Sequence, residues 1–184
     1  MRTKFYTRRG DGGASLMGTK MLDKDSPIFH LLGGLDELNS WLGFCRAGIK
    51  DARLKNFANF IKRIQQDLFI AQAEIAAIGT GRASKIKIGQ EKTAGIEKII
   101  HGIDAVLPPI VRFIIPGASE MSARLDVART IARKVERDIR AFSKKKKLHP
   151  ELLQFTNRLS SVLFALARFA SFRLKIKEES PDYK

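Results

Sequence analysis

Apolar residues recur at alternating steps of three and four along most of the chain, and this spacing predicts long amphipathic helices. A first stripe runs from Leu54 to Ile78 and another from Leu152 to Phe169. Helices that carry such stripes pack lengthwise against one another. The most regular stripe consists of Met121, Leu125, Ala128, Ala132, Val135, Ile139 and Phe142.

Start and stop signals divide the chain from Ser26 onward into five helices. Ser26 and Pro27 combine an N-cap residue with a proline at the first helical position. Asp51 is predicted to cap the second helix, and the Pro108-Pro109 pair ends the third because proline cannot continue the hydrogen-bond ladder. The predicted helices are about 26–48, 52–78, 93–107, 121–142 and 150–174.

Five helices without a convincing strand predict an all-α fold, a five-helix bundle in a single domain of 184 residues. Residues 1–25 form a separate N-terminal loop segment in this prediction, and residues 26–176 form the bundle. Within the bundle, residues from about 79 to 90 combine glycine, serine and lysine without a period, so a flexible, exposed loop is predicted there. Residues 177–184 are predicted to be a polar C-terminal tail.

Composition narrows the cellular context and the classes of partner. Cys45 is the only cysteine, so no intramolecular disulfide can form, and no His/Cys spacing indicates a zinc or iron-sulfur site. No stretch approaches the roughly 20 apolar residues that span a bilayer, and a soluble cytoplasmic protein without a membrane partner is predicted. The formal charge of +15 admits nucleic acid, nucleotide phosphate or anionic membrane, although solvated lysine runs give the same total.

Two stretches are candidate phosphate sites. The sequence YTRRGDGGAS, residues 6–15, joins glycines whose amides can approach phosphate with two arginines and two hydroxyls, although an ordinary turn has the same composition. On the fourth helix, four arginines and a glutamate share one face, which suits either a polyphosphate or a solvated face with local ion pairs. These helical residues are Arg129, Arg133, Glu136, Arg137 and Arg140.

Two further groups of polar residues interrupt apolar helical patterns. Asp36, together with Glu37 and Asn39, lies inside the first helix, where aspartate and asparagine have poor helix propensity. An interhelical ion pair with an arginine would explain why such residues occur inside this helix. Asn157 and Arg158 lie in the apolar pattern of the fifth helix. Two interpretations are open: at least one of these side chains faces a cleft, or they form a hydrogen-bonded polar position between helices.

Together and in this order, these stretches resemble the PduO-type ATP:cobalamin adenosyltransferases. The matching pieces are YTRRGDGGAS, LDELNSWLG, FIIPG, ARTIARKVERD and TNRLSSVLFALAR, which extend from Tyr6 to Arg168. The resemblance implies a five-helix bundle that assembles as a homotrimer and binds ATP and Mg²⁺ between two subunits. The resemblance makes residues 1–25 a nucleotide-binding segment. The residues that it implies on this loop side of the ATP site are Thr7, Arg8, Gly10, Asp11, Gly13, Ser15 and Lys24. The other side consists of Arg133, Glu136, Arg137 and Asn157.

The resemblance also implies the reaction and its remaining residues. Cob(I)alamin attacks the 5′ carbon of ATP and expels triphosphate, so the protein supplies no nucleophile. Phe113, in the FIIPG link, matches an apolar residue that keeps the lower face of the corrinoid free of a ligand. Asp36 and Arg129 match a pair that forms a salt bridge near the corrinoid, and Arg133 stabilises the leaving triphosphate. A reductase and a cobalamin-dependent acceptor enzyme are implied partners; nucleic acid is not.

The sequence departs from the family pattern at several positions. An isoleucine stands where many members have an arginine, an aspartate replaces a histidine, and a serine replaces an aspartate after NRLS. These departures leave open a relative that binds nucleotide or corrinoid without catalysis, acting as a carrier or sensor. The net charge leaves open, as a further alternative, a basic helical nucleic-acid-binding protein. The departing positions are Ile28, Asp126, Ser161, Ala118 and Lys134.

Overall fold

The computed structural model describes residues 5–183 and contains a small β-hairpin followed by five α-helices. The hairpin consists of β1 (Ala14–Met17) and β2 (Lys20–Asp23). The helices are α1 (Pro27–Ala47), α2 (Lys55–Gly79), α3 (Gln90–Asp104), α4 (Glu120–Ser143) and α5 (Pro150–Leu174). The predicted all-α five-helix bundle is therefore confirmed.

Helix starts follow the local chemistry of the sequence. Pro27 occupies the first helical position of α1 after the extended residue Ser26. Asp51 caps a short 3₁₀ turn, Ala52–Leu54, that precedes α2, and its carboxylate accepts a hydrogen bond from the Arg53 amide at 2.8 Å. At α4, Ser119 and Ser122 satisfy each other's free backbone amides in a reciprocal cap.

The core lies along the centre of the bundle, where the predicted stripes face one another. Helix α4 packs most extensively on α5 and also on α1, while α3 packs on α5 and α1 on α2. Leu35, Leu125 and Leu159 are fully buried, and burial of each leucine side chain stabilises the fold by roughly 1.5–3 kcal/mol. Helix α4 thus lies between two long helices, and residues such as Arg133 and Arg137 remain exposed on its outer side.

The absence of strands was a wrong prediction. Residues 14–23 form an antiparallel hairpin in which Ala14 pairs with Asp23 and Met17 with Lys20. Gly18 adopts a φ of +62°, which allows the tight turn between the strands. Met17 is buried and anchors the hairpin on the bundle. Two four-residue strands are too short to produce a recognisable alternating pattern, and this explains the error.

The bounds predicted around α3 also need correction. The helix begins at Gln90 instead of Thr93 and ends at Asp104, before the two prolines. The connection between α2 and α3 is not wholly exposed, because Ile88 is buried and its amide donates a hydrogen bond to the buried Glu74 carboxylate at 2.9 Å. A buried carboxylate needs such a partner. The lysines of this segment concealed the one apolar residue that packs.

The residues after α5 lie along the link between α3 and α4. The Ile115 amide donates a hydrogen bond to the Glu179 carbonyl at 2.8 Å, and the Glu178 carboxylate pairs with Arg168 of α5 at 3.1 Å. The described part of the predicted polar tail is therefore attached to the bundle. None of the helices in residues 5–183 is long and apolar enough to cross a membrane.

Candidate active site

A cleft of about 660 Å³ lies between the link that precedes α4 and the facing sides of α4 and α5. Three of the four predicted catalytic residues, Phe113, Arg129 and Arg133, line it together. Its wall combines apolar side chains of the link with three arginines and two serines. The lining residues are Ile110, Val111, Arg112, Phe113, Ile114, Arg129, Arg133, Ser160, Ser161 and Phe164.

The local structure explains why these residues meet. Arg129 and Arg133 are four residues apart on α4, so both project toward the same side of the helix. The link has no regular secondary structure between the α3 and α4 ends, and Phe113 remains 78% exposed. A large exposed aromatic side chain at the mouth of a cleft is typical of a binding surface. The cleft can therefore accept a large ligand with apolar and anionic parts.

A polar network extends from this cleft along α4 and α5. The Asn157 amide donates a hydrogen bond to the Glu136 carboxylate at 2.7 Å, so two residues predicted for the nucleotide site are in direct contact. Arg158 donates to the Asn157 carbonyl at 2.9 Å and also pairs with Glu97 of α3 at 2.9 Å. The orientation of Asn157 is consequently fixed on both sides.

The arginines of α4 differ in their partners. Arg129 forms an ion pair with Asp126 at 3.0 Å and approaches the Phe164 ring at 5.9 Å. Arg133 and Arg137 are exposed, and within residues 5–183 neither forms an ion pair. Two unpaired guanidinium groups one turn apart attract an anion with several oxygen atoms, because each offers paired donors to such a group.

The N-terminal loop is folded by contacts among its own residues. The Lys24 ammonium donates a hydrogen bond to the Gly10 carbonyl at 2.6 Å, and the Lys24 amide donates to the Gly13 carbonyl at 2.9 Å. Arg8 and Gly13 have φ values of +59° and +85°. The predicted loop residues Thr7, Arg8, Gly10, Asp11, Gly13, Ser15 and Lys24 thus occupy one tightly turned segment, and all but Gly10 and Ser15 are exposed.

This loop does not meet the other predicted half of the nucleotide site within one chain. Residues 7–24 make no hydrogen bond or ion pair with α4 or α5 in the described structure. The predicted interhelical pair of Asp36 with Arg129 is also absent from the described chain. Arg129 pairs with Asp126 on its own helix, while Asp36 is exposed on α1. A neighbour three residues away on the same helix satisfies the arginine locally.

The departures from the family pattern have structural counterparts. Ile28 is buried at the beginning of α1 and fills the space beside Gly79, where an added Cβ would lie 2.6 Å from the Ile28 Cδ1 atom. Ile28 therefore belongs to the core and cannot reach a phosphate. Asp126 supplies the ion-pair partner of Arg129, and Ser161 is exposed at the cleft wall. Ala118 lies in the link just before α4, and Lys134 forms a long ion pair with Glu37 at 3.7 Å.

Sequence patterns did not assign Glu97, Arg112 or Phe164 to this region. For Arg158 the sequence pattern indicates only a polar residue in an apolar stripe. Phe164 has the spacing of a residue on the edge of the α5 apolar stripe, which is the only signal that could have found it. Glu97 contacts a residue 61 positions away, and nothing in its own helix indicates this partner.

The fold and the cleft together define a class of protein, a helical bundle that presents an apolar and arginine-lined cleft for a large anionic ligand. The sequence profile of cobalamin adenosyltransferases matches residues 5–170. A corrinoid adenosyltransferase from Citrobacter freundii is 36% identical over 97% of this chain and 97% of its own length. One from Bacillus subtilis is 33% identical over 92% of this chain and 88% of its own length.

Solved structures give the same result. A variant PduO-type ATP:corrinoid adenosyltransferase from Lactobacillus reuteri, in complex with cobalamin and ATP, superimposes with a TM-score of 0.91 at 32% identity. The superposition covers 98% of this chain and 97% of that one. The chain therefore belongs to the cobalamin adenosyltransferase family, and the predicted family is confirmed.

Proposed function

We propose that this protein is an enzyme that transfers the 5′-deoxyadenosyl group of ATP to cob(I)alamin or a related reduced corrinoid. The observation that carries the proposal is the cleft in which Phe113, Arg129 and Arg133 meet, in a chain of this family. The relatives are named corrinoid adenosyltransferases, and the Lactobacillus reuteri structure holds both cobalamin and ATP.

The proposed reaction needs no nucleophile from the protein. The cobalt(I) electron pair forms the bond to the 5′ carbon while the carbon–oxygen bond breaks, and triphosphate leaves with the electrons of that bond. The protein's task is to orient the two substrates and to offset the charge that develops on the leaving oxygen. Arg133 and Arg137 suit the second task because neither guanidinium group is engaged in an ion pair in the described chain.

Phe113 acts on the corrinoid in this proposal. A cobalt ion that keeps an axial ligand resists reduction, so the enzyme must hold one face of the corrinoid free of ligands. An exposed phenyl ring offers no lone pair and excludes water from the metal. Phe113, 78% exposed at the edge of the cleft, has the chemistry and the accessibility for this role.

Magnesium fits the site as part of the nucleotide complex. Among residues 5–183 no group of three or more His, Cys, Asp or Glu side chains forms a metal cluster. Mg²⁺ in nucleotide sites is bound chiefly by phosphates and water and needs only one or two protein oxygens. Asp11, Thr7 and Ser15 of the loop offer such oxygens. When bound, the ion offsets charge on the triphosphate.

The separation of the two nucleotide-binding halves supports a homotrimer. Because residues 7–24 make no polar contact with α4 or α5 within the described part of the chain, we propose that the loop closes over the arginines of a neighbouring subunit. The same arrangement allows Asp36 of one subunit to approach Arg129 of another, in competition with Asp126. Glu136, Arg137 and Asn157 then complete the ATP site from the α4 side. A reductase and a cobalamin-dependent acceptor enzyme in the cytoplasm remain proposed partners.

Anaerobic spectroscopy tests the reaction. Purified protein is mixed with chemically reduced cob(I)alamin, ATP and Mg²⁺, and the visible spectrum is followed for adenosylcobalamin. We expect conversion by the unmodified protein and its loss in Arg133→Ala. Arg46→Ala is the matched control, because Arg46 is an exposed arginine at the end of α1, away from the cleft.

Two other outcomes would contradict the proposal. ATP binding without conversion would favour a relative that binds its ligands without catalysis. The buried Ile28 is the observation that favours this alternative, because an isoleucine side chain cannot pair with a phosphate. Equal losses in Arg133→Ala and Arg46→Ala would show that net charge, and not the cleft, determines activity.

A further inference from the structure

We propose that Arg168 is a positioning residue, which holds the Phe113 link in place by fastening the two chain segments on either side of it. Arg168 lies on α5 beneath the link, and its side chain is only 9% exposed. A buried guanidinium group must have its charge and its donors satisfied. The inference rests on the corrinoid role proposed above for Phe113.

The first contact of Arg168 is with the beginning of the link. Both terminal nitrogens of its guanidinium group donate to the Pro108 carbonyl at 3.3 Å. Pro108 stands where α3 has ended and the chain turns toward the cleft. Since proline has no backbone amide, its carbonyl is the one polar backbone group through which this position can be anchored.

The second contact of Arg168 is with the segment after α5. Its Nε atom pairs with the Glu178 carboxylate at 3.1 Å, and the next residue, Glu179, accepts the Ile115 amide hydrogen bond at 2.8 Å. Within the described chain, this is the only backbone–backbone hydrogen bond of residues 108–118. The far side of the link therefore depends on a segment that Arg168 holds.

Phe113 lies between the two fastened points. Arg112 and Phe113 line the main cleft on one side, and on the other side they line a second cavity of about 540 Å³ together with Ser180, Pro181 and Tyr183. The link is thus a thin wall with open space on both faces. The hydrogen bonds at Pro108 and Ile115 are the polar anchors on either side of Phe113, and they limit how far its ring can move.

Two glutamates provide a matched pair of variants. Glu178→Gln removes the charge that faces Arg168, whereas Glu179→Gln makes the same change one residue later, on an exposed side chain whose backbone carbonyl remains available. Arg168→Lys is a second test, because an ammonium group keeps the charge but cannot donate along the two directions of a guanidinium fork.

Hydrogen–deuterium exchange measures the positioning directly and does not depend on turnover. We expect Glu178→Gln, and not Glu179→Gln, to speed exchange in peptides that cover residues 108–117. Unchanged exchange in Glu178→Gln would overturn the proposal whatever the activity. Should the unmodified protein fail to convert cob(I)alamin, the proposed function would fall, while this comparison would still decide whether Arg168 and Glu178 hold the link.

The corrinoid readout decides whether the positioning serves the reaction. With ATP present, the visible spectrum of bound cob(II)alamin separates corrinoid that keeps its lower ligand from corrinoid that has lost it. We expect Glu178→Gln and Arg168→Lys to lower the ligand-free fraction and to reduce kcat roughly 10- to 100-fold, the cost of misplacing a reacting group by about 1 Å. ATP affinity should not change. Faster exchange with an unchanged spectrum and kcat would refute a role in the reaction.

Discussion

The contact between Asn157 and Glu136 permits a sharp test of the nucleotide site. Asn157→Asp replaces the amide nitrogen, which donates to the Glu136 carboxylate at 2.7 Å, with an oxygen that cannot donate. The shape of the side chain is unchanged. Two carboxylates at that distance repel each other, and one takes up a proton or both move apart. Repulsion displaces Glu136 from the position it holds on α4, and proton uptake removes a negative charge from the site.

The size of the effect follows from the bond that is lost. A hydrogen bond to a charged group is worth about 1.5–3 kcal/mol, which corresponds to roughly a 10- to 150-fold change in an equilibrium constant. Part of this is recovered because Arg158 remains on the other side of the substituted residue at 2.9 Å. We therefore expect the Kd for ATP with Mg²⁺ to rise about 10- to 100-fold.

Isothermal titration calorimetry with ATP and Mg²⁺ provides the assay. Gln154→Glu is the matched control, because it makes the same amide-to-carboxylate change one turn earlier on α5, where the side chain is exposed. Both variants add one negative charge, so the difference between them isolates the local contact. Equal Kd values would refute the assignment of Asn157 and Glu136 to the ATP site.

Three further predictions concern the core and the link. Burial raises the pKa of Cys45 from 9.0 to about 11, so its thiol should resist alkylation at pH 8 until the protein is unfolded. Because the folded state favours the protonated thiol, stability should fall as pH rises from about 9 to 11, by roughly 2–3 kcal/mol more than in Cys45→Ala. Gly79→Ala should destabilise by about 1–3 kcal/mol in urea titrations, since its Cβ would overlap the buried Ile28. Gly33→Ala, which meets nothing within 4 Å, should not destabilise. Phe113→Ala should abolish adenosylcobalamin formation and leave ATP affinity intact; retained turnover would contradict its role.

Long helices and their buried faces could be predicted because each repeats one local pattern many times. The stripe of α4 identified Leu125, Ala128 and Val135 as core residues, and all three are fully buried. The same periodicity placed Arg129 and Arg133 on one side of the helix. Their common cleft with Phe113 is consistent with this prediction. Local spacing is sufficient wherever a residue's surroundings belong mostly to its own helix.

Contacts between distant segments could not be predicted from such patterns. The hairpin depends on a pairing of two short strands, and the buried Glu74 depends on Ile88, which comes from a connection that was predicted to be flexible and exposed. The arginine pairs are the clearest case. The sequence suggested Asp36 for Arg129, but Asp126, three residues away on the same helix, is its partner in the described chain. Several acidic residues can reach a long arginine side chain, and the folded backbone decides among them.

The most direct test of the central claim is the amount of triphosphate released per adenosylcobalamin formed in a single anaerobic turnover. The account predicts one triphosphate for each new cobalt–carbon bond, since the corrinoid displaces the intact triphosphate from the 5′ carbon. ATP that is bound without forming adenosylcobalamin, or that is cleaved to phosphate or pyrophosphate without it, would contradict the claim that this chain is an adenosyltransferase.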